Sequence, residues 1–227
     1  MQPYLFPYLG YVQLMHAADI FVVYDNAQFM KGGWINRNRI LASSGVQTFT
    51  LQMSGASANK QINEIEIGSN RAKIFRTIEQ TYAKAPHATQ TLAFIERCFA
   101  FDDANLARFI GNCLVELANL LELSTEFKMA SSLAFDSNET AQKKVLAMCQ
   151  FLGASRYINT EGGRDLYSHD PFSAAGIDLK FLEHTPTEYP QFRNKGAFEP
   201  RLSVIDALMN VGPAGVQNLL TDYSLTR

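Results

Sequence analysis

The sequence predicts an α/β fold: a mainly parallel sheet flanked by helices, in three layers. Two observations carry this. In the second half, helix-patterned segments alternate with short apolar strand-patterned ones, the order that builds parallel sheets covered by helices. In addition, glycine-bearing polar turns follow two of the predicted strands, as at the carboxyl edge of open α/β sheets. The chain has 227 residues, 47% of them hydrophobic. That suits one domain over 1–227 with ample apolar surface for a core, carrying a helical insertion around 87–123.

Taken in order, residues 3–10 hold Pro3, Pro7 and Gly10 and form a loop, with a helix starting near Gly10 on Tyr11, Leu14, Met15 and Ala18. The β-branched and aromatic run Ile20–Tyr24 is a buried strand, and 47–53 and 64–67 are further strands. A helix over 70–84 turns Ile74, Phe75, Ile78 and Tyr82 inward and stops at Pro86. A short helix covers 89–98. Over 103–121, Leu106, Ile110, Cys113, Leu117 and Leu120 draw one apolar stripe at helical spacing. A short strand over 125–129 follows.

Asp136 with Glu139 forms a capping box and Gly153 is a fitting C′ residue, giving a helix over 138–152. Strand 156–159, helix 163–175 and strand 179–182 complete the alternation. Beyond Glu183 lies a proline-rich loop with Tyr189, Gln191, Phe192 and Phe198. Ser203 then caps a short helix, Gly212-Pro213 punctuates, and a last helix runs to about Leu220.

Composition narrows the function classes. A net charge of −2 leaves no electrostatic footprint for nucleic acid or acidic membranes. No apolar run approaches the roughly 18 residues that span a bilayer, and the N-terminus lacks the order of a signal peptide. Cys98, Cys113 and Cys149 fall on apolar helical faces without CxxC spacing, so they read as buried thiols of a reducing compartment. The protein reads as cytoplasmic. Its oligomeric state is left open.

The polar stretches point to a small-molecule site. Asp25, Asn26 and Gln28 follow a predicted strand and run into Lys31-Gly-Gly-Trp34-Ile-Asn36-Arg37-Asn38-Arg39, which contains the single tryptophan. On a strand Arg37 and Arg39 share a face, and two guanidinium groups suit a phosphate or carboxylate. Trp34 offers an aromatic platform for the apolar face of a sugar ring. The bland alternatives are a surface loop with a packed Trp and a solvated strand edge.

The second polar turn, Tyr157 to Asp165 with Asn159, Gly162, Gly163 and Arg164, combines free amides with a cation and could hold an anion. A plain strand-to-helix turn is its competitor. His169-Asp170 and His184 invite a metal reading, but further ligands at defined spacing are missing, so no metal is assigned. His16 and His87 read as structural or surface residues. Asp206 falls in the first turn of its helix, where the dipole favours a carboxylate. Motifs of nucleophilic triads, P-loops and dinucleotide sites are absent.

The motifs Gln2-Pro-Tyr4, Phe6-Pro-Tyr8, Gly10-Tyr11, Tyr24-Asp25, Gly33-Trp-Ile-Asn-Arg-Asn-Arg-Ile40, Ile62-Asn-Glu-Ile65, Ala85-Pro86, Tyr157-Ile-Asn159, Gly162-Gly163, Leu166-Tyr167, Tyr189-Pro-Gln-Phe192 and Ile205-Asp206 together resemble the WbqC-like protein family from one end of the chain to the other. Members carry a short apolar run ahead of the Gln-Pro-Tyr motif, so the resemblance implies a first strand that is absent or truncated here. The family also resembles proteins of O-antigen gene clusters. That implies a transferase or amide-forming enzyme, acting on an amino sugar or sugar nucleotide in surface polysaccharide (lipopolysaccharide) biosynthesis, with glycine transfer as its specific form.

On this reading Asp25 is a base or orienting group, and Lys31 and Arg37 act with it in catalysis. Gln2, Tyr8, Tyr11, Trp34, Asn36, Arg39, Asn159, Gly162, Gly163, Tyr189 and Gln191 bind substrate. A non-catalytic sugar-nucleotide or partner-binding module is the alternative. A third reading starts from Tyr4 to Tyr11, which resembles a degenerate HxGH turn of nucleotidylyltransferases, with Tyr8 and Tyr11 in place of the histidines. Lys128-Met-Ala-Ser131-Ser132 resembles the second phosphate motif of that superfamily. This implies a nucleotidylyltransferase-like (HUP-like) sheet and ATP-dependent activation of a carboxylate. Tyrosine lacks the positive charge of a protonated imidazole, so Lys31, Arg37 and Arg39 would carry the transition-state charge.

Overall fold

A computed structural model describes residues 1–135, 141–185, 187–191 and 196–227. The Asp136–Glu139 capping box and Phe192 lie outside the described residues.

The N-terminal aromatic loop leads into α1 (Leu9–His16) and β1 (Ile20–Val23), followed by β2 (Arg37–Ala42), β3 (Gly45–Thr50), β4 (Met53–Ser54) and β5 (Glu66–Ile67). Three helices come next, α2 (Arg71–Tyr82), α3 (Ala88–Ala100) and α4 (Leu106–Leu120), and then β6 (Glu126–Met129). The last part comprises α5 (Ala141–Phe151), β7 (Arg156–Thr160), α6 (His169–Ala174), β8 (Asp178–His184), α7 (Val204–Leu219) and β9 (Tyr223–Thr226).

Of the five residues of the predicted α4 stripe, Leu120 is partly buried against the core, and the other four, Leu106, Ile110, Cys113 and Leu117, are at most 1% exposed. Each such side chain contributes roughly 1.5–3 kcal/mol by leaving water. Asn105 starts the helix by accepting the Arg108 amide at 3.1 Å, a side-chain N-cap. The stripe packs into the main core with α2, α3, α7 and the N-terminal loop. A smaller cluster, with Val145, Cys149, Phe172, Ile177, Leu179 and Phe181, lies between α5, α6 and β8. All three cysteines are free and buried.

The expected large parallel sheet is not formed by the described residues. Parallel pairing is confined to two separate pairs, β1 with β6 and β7 with β8. β9 adds antiparallel to β8, and β2–β3 and β4–β5 are antiparallel pairs of their own. The other side of β1 is taken by Met1, whose amino group donates to the Val22 carbonyl at 2.7 Å while Tyr24 N donates to the Met1 carbonyl at 2.7 Å. Burial lowers the pKa of that amino group to about 5.

Other differences are local. The single helix expected over 163–175 is a 3₁₀ turn, Glu161–Leu166, followed by α6, because the chain turns extended at Tyr167 and Ser168. The two C-terminal helices are present as expected: α7 is broken at Gly212, whose φ of 68° and ψ of 176° are non-helical, just ahead of Pro213. The strand expected over 64–67 starts as a 3₁₀ turn, Ile62–Glu64, and that over 47–53 divides into β3 and β4.

Asp206 does sit in the first turn of α7, as expected, but it is also a buried hub at 1% exposure. It accepts hydrogen bonds from Tyr82 at 2.5 Å, Tyr189 at 2.8 Å and Gln191 at 3.3 Å. Burial pushes its carboxyl above the usual range, opposed by those three donors. No helix among the described residues is long and apolar enough to cross a membrane.

Candidate functional site

The aromatic N-terminal loop is gripped from both sides, and this brings the arginine-bearing β2 beside the segment that leads into α7. Leu5 N donates to the Ile35 carbonyl at 2.9 Å, and Asn38 Nδ2 donates to the Phe6 carbonyl at 2.8 Å. From the other side Ser203 Oγ donates to the Phe6 carbonyl at 2.7 Å, and Val204 N to the Pro7 carbonyl at 2.7 Å. The loop therefore ties the arginine-bearing β2 to the amino end of α7. Ser203 N completes the link by donating to the Arg39 carbonyl at 2.8 Å.

Arg37 and Arg39 do share a face of β2, and Trp34 lies beneath both. The Arg37 guanidinium carbon is 5.2 Å from the Trp34 ring centroid and that of Arg39 is 5.7 Å away, within cation–π range. Trp34 stays 42% exposed. Arg37 is braced by the Gly32 and Gly33 carbonyls. Arg39 reaches the 199–201 segment, donating to the Arg201 carbonyl at 3.2 Å, while its Nε is buried without a partner. Lys31 is exposed on the glycine loop.

The segment reached by Arg39 forms one wall of a second feature. Arg201 has φ 56°, a left-handed conformation that costs a non-glycine residue about 1–2 kcal/mol. Its guanidinium forms no hydrogen bond or ion pair with the described residues. With Leu9, His184, Thr187, Tyr189, Phe198 and Leu202 it lines a cavity of about 10 Å³, room for one water-sized group. Tyr8 contacts the His184 ring edge-on at 6.0 Å between centroids. Gly10 allows that approach, since a Cβ there would stand 2.5 Å from Tyr8 Cε2 and 3.0 Å from His184 Cβ.

His184 ends β8, so this cavity lies at the carboxyl end of a parallel pair, where α/β proteins place ligands. The amino end of α1 also faces it through Leu9, with no side-chain cap. Burial and Arg201 hold the His184 pKa below its ordinary value, opposed by Asp222. Burial raises Tyr8, opposed by Arg201 and reinforced by Tyr4 and Glu161.

Other predicted residues back this region or stand elsewhere. Tyr189 and Gln191 are fixed by Asp206, and Gln191 also accepts Glu199 N at 2.9 Å. Tyr11 is fully buried and donates to the Gln2 carbonyl at 2.8 Å, so of the two tyrosines in the expected phosphate turn only Tyr8 is partly exposed. The Asn36 amide is engaged by the Leu51 carbonyl at 2.7 Å. In the second polar turn, Asn159 accepts Thr160 N at 2.8 Å and Gly163 is buried beside it, while Gly162 is exposed. Arg164 is engaged by Glu183 at 2.8 Å and by Thr226.

Asp25 ends the other parallel pair. It is 2% exposed, and it accepts Ser131 N at 2.9 Å, Ser131 Oγ at 2.5 Å and Asn63 Nδ2 at 3.4 Å. Sequence reasoning missed Arg201 and the role open to His184. The one local signal for Arg201 was the Ser203 cap two residues later; the sequence offered His184 only as a metal-ligand candidate. No group of three metal-binding side chains occurs among the described residues.

The model of the WbqC-like protein family matches residues 2–218. An uncharacterized protein of Mycobacterium tuberculosis, Rv1507c, is 28% identical over 211 residues, covering 91% of this chain and 90% of that protein. No solved structure matches the chain.

Proposed function

The chain belongs to the WbqC-like protein family, and we propose that it is a transferase or amide-forming enzyme acting on an amino sugar or sugar nucleotide in the assembly of bacterial surface polysaccharide. Glycine is an acyl group it would join. The observation that carries this reading is the half-exposed Trp34 beneath Arg37 and Arg39, linked through Arg39 to the backbone of Arg201, a residue that lines the His184 cavity. An indole face suits the apolar side of a pyranose, and guanidinium groups suit the diphosphate of a sugar nucleotide.

In this reading Trp34 stacks on the sugar, while Lys31, Arg37, Arg39 and Arg201 hold anionic oxygens. Tyr8, Tyr189 and Gln191 line or back the reacting end. Gln2, Tyr11, Asn36, Asn159, Gly162 and Gly163 shape the segments that carry these groups. Asp25, already engaged with Ser131, serves as an orienting group rather than an exposed base. The cavity is too small for a sugar, so it takes the reacting group while the rest of the ligand lies across Arg201 and Trp34.

A thermal-shift comparison of UDP- and dTDP-amino sugars, glycine and ATP-Mg tests this. Ligand at a hundredfold excess over Kd stabilises by about 2.7 kcal/mol. The expected result is a shift with nucleotide amino sugars that Trp34→Ala removes. A folded protein that responds only to ATP-Mg, lost on Arg37→Ala, would favour the carboxylate-activating reading instead.

A further inference from the structure

The protonation pattern of His184 is dictated by its neighbours. Gln13, buried on α1, donates through Nε2 to the carbonyls of Leu219 at 2.8 Å and Asp222 at 3.1 Å. Carbonyls only accept, so the amide cannot be turned round. The atom left facing His184 Nδ1, at 2.7 Å, is Gln13 Oε1. An amide oxygen cannot donate, so Nδ1 carries the proton and Nε2 carries the lone pair of a neutral ring. Among the described residues Nε2 has no hydrogen-bond partner, and His184 is one of the residues that line the cavity.

The charged and titratable groups facing the ring are Arg201, Asp222 and Tyr8. A ring with one nitrogen tied to a fixed acceptor and the other open to a cavity has the geometry of a proton acceptor, with a third group orienting it.

We infer that His184 is the general base of this site and that Gln13 is the positioning residue that fixes its tautomer. The inference rests on the proposed transfer to an amino sugar. In that step the substrate amine attacks the carbonyl carbon of an activated acyl donor, a thioester or acyl phosphate by class. The nitrogen lone pair forms the new N–C bond, and the bond to the leaving group breaks with its electron pair going to that group. The surplus proton on nitrogen passes to His184 Nε2. Gln13 Oε1 keeps its hydrogen bond to Nδ1–H and stabilises the imidazolium that forms. Burial, with Arg201 second, keeps the ring neutral before the reaction; once Arg201 is paired with substrate phosphate its part of the repulsion of the imidazolium falls.

The test uses the full chain with ¹⁵N-labelled imidazoles. His184 is distinguished from His16, His87 and His169 by the His184→Gln variant, and Trp34, the single tryptophan, reports binding by fluorescence. The expected result is a neutral, Nδ1-protonated His184 at pH 7 whose Nε2 resonance moves when a UDP-amino sugar is added. His184→Gln should lower turnover roughly 10²–10⁴-fold with the sugar-nucleotide Kd unchanged. Gln13→Leu should populate the Nε2–H tautomer and lower kcat, again at unchanged Kd.

An Nε2-protonated or cationic ring at pH 7 overturns the assignment. Quenching of Trp34 with no movement of His184 overturns the base while the sugar-nucleotide reading stands. Silence of both probes overturns the reading itself, and the assignment with it.

Discussion

The two parallel pairs end in opposite ways. At the end of β1 and β6, the Asp25 carboxylate is closed off by Ser131 and Asn63. At the end of β7 and β8, the Arg201 guanidinium has no partner among the described residues and His184 keeps one ring nitrogen unbonded there. Both ends occupy the place where α/β proteins put ligands; at the first the unpartnered polar atom is a buried amide oxygen, Asn26 Oδ1, whereas the second offers a guanidinium and an imidazole nitrogen. A buried group whose hydrogen bonds are satisfied contributes to the fold, whereas an unsatisfied one beside a cavity is poised for a ligand.

Substitution at the two ends should sharpen that contrast. The largest effect is expected from Asp25→Ala, which strips the acceptor from Ser131 and Asn63. It should cost about 2–3 kcal/mol in urea unfolding, with the slope unchanged. Arg201→Ala should change stability by less than about 0.5 kcal/mol, since its guanidinium is unpaired, while removing the nucleotide-sugar shift. Equal stability losses at Asp25 and Arg201 would erase the distinction.

The smallest effect is a pH dependence. The folded pKa of His184 is depressed, so the unfolded chain takes up the proton first as pH falls. Its contribution is present above the ordinary imidazole pKa of about 6.5 and is lost as pH falls through the depressed folded value. Between pH 7 and pH 5 the wild type should lose stability more steeply than His184→Gln. Parallel curves for the two proteins would mean that the ring is not held neutral by its surroundings.

Much of the fold was legible where apolar periodicity was strong, as on α4, β1 and β8. It failed where polar residues face inward. On β2 the buried positions include Asn38, whose amide satisfies carbonyls of the N-terminal loop, so the usual apolar signal is inverted. The two-residue β4 is too short for a pattern, and β9, with none of its four residues fully buried, shows no inward–outward alternation. For the site, Trp34 with Arg37 and Arg39 was visible because all three lie in one short stretch. The His184 cavity joins residues from α1, the end of β8 and the segment before α7, and no local spacing announces such an assembly.

The grip on the N-terminal loop also sets an order of events during synthesis. Ser203 Oγ and Phe6 O are 197 positions apart in the chain, so the loop cannot close until nearly the whole polypeptide has left the ribosome. Contacts this distant in sequence form late and slow folding, because the intervening chain must first be ordered. The helices α2 to α4 can collapse on one another while residues 1–8 are still waiting for α7. The His184 cavity would then be among the last parts of the protein to mature.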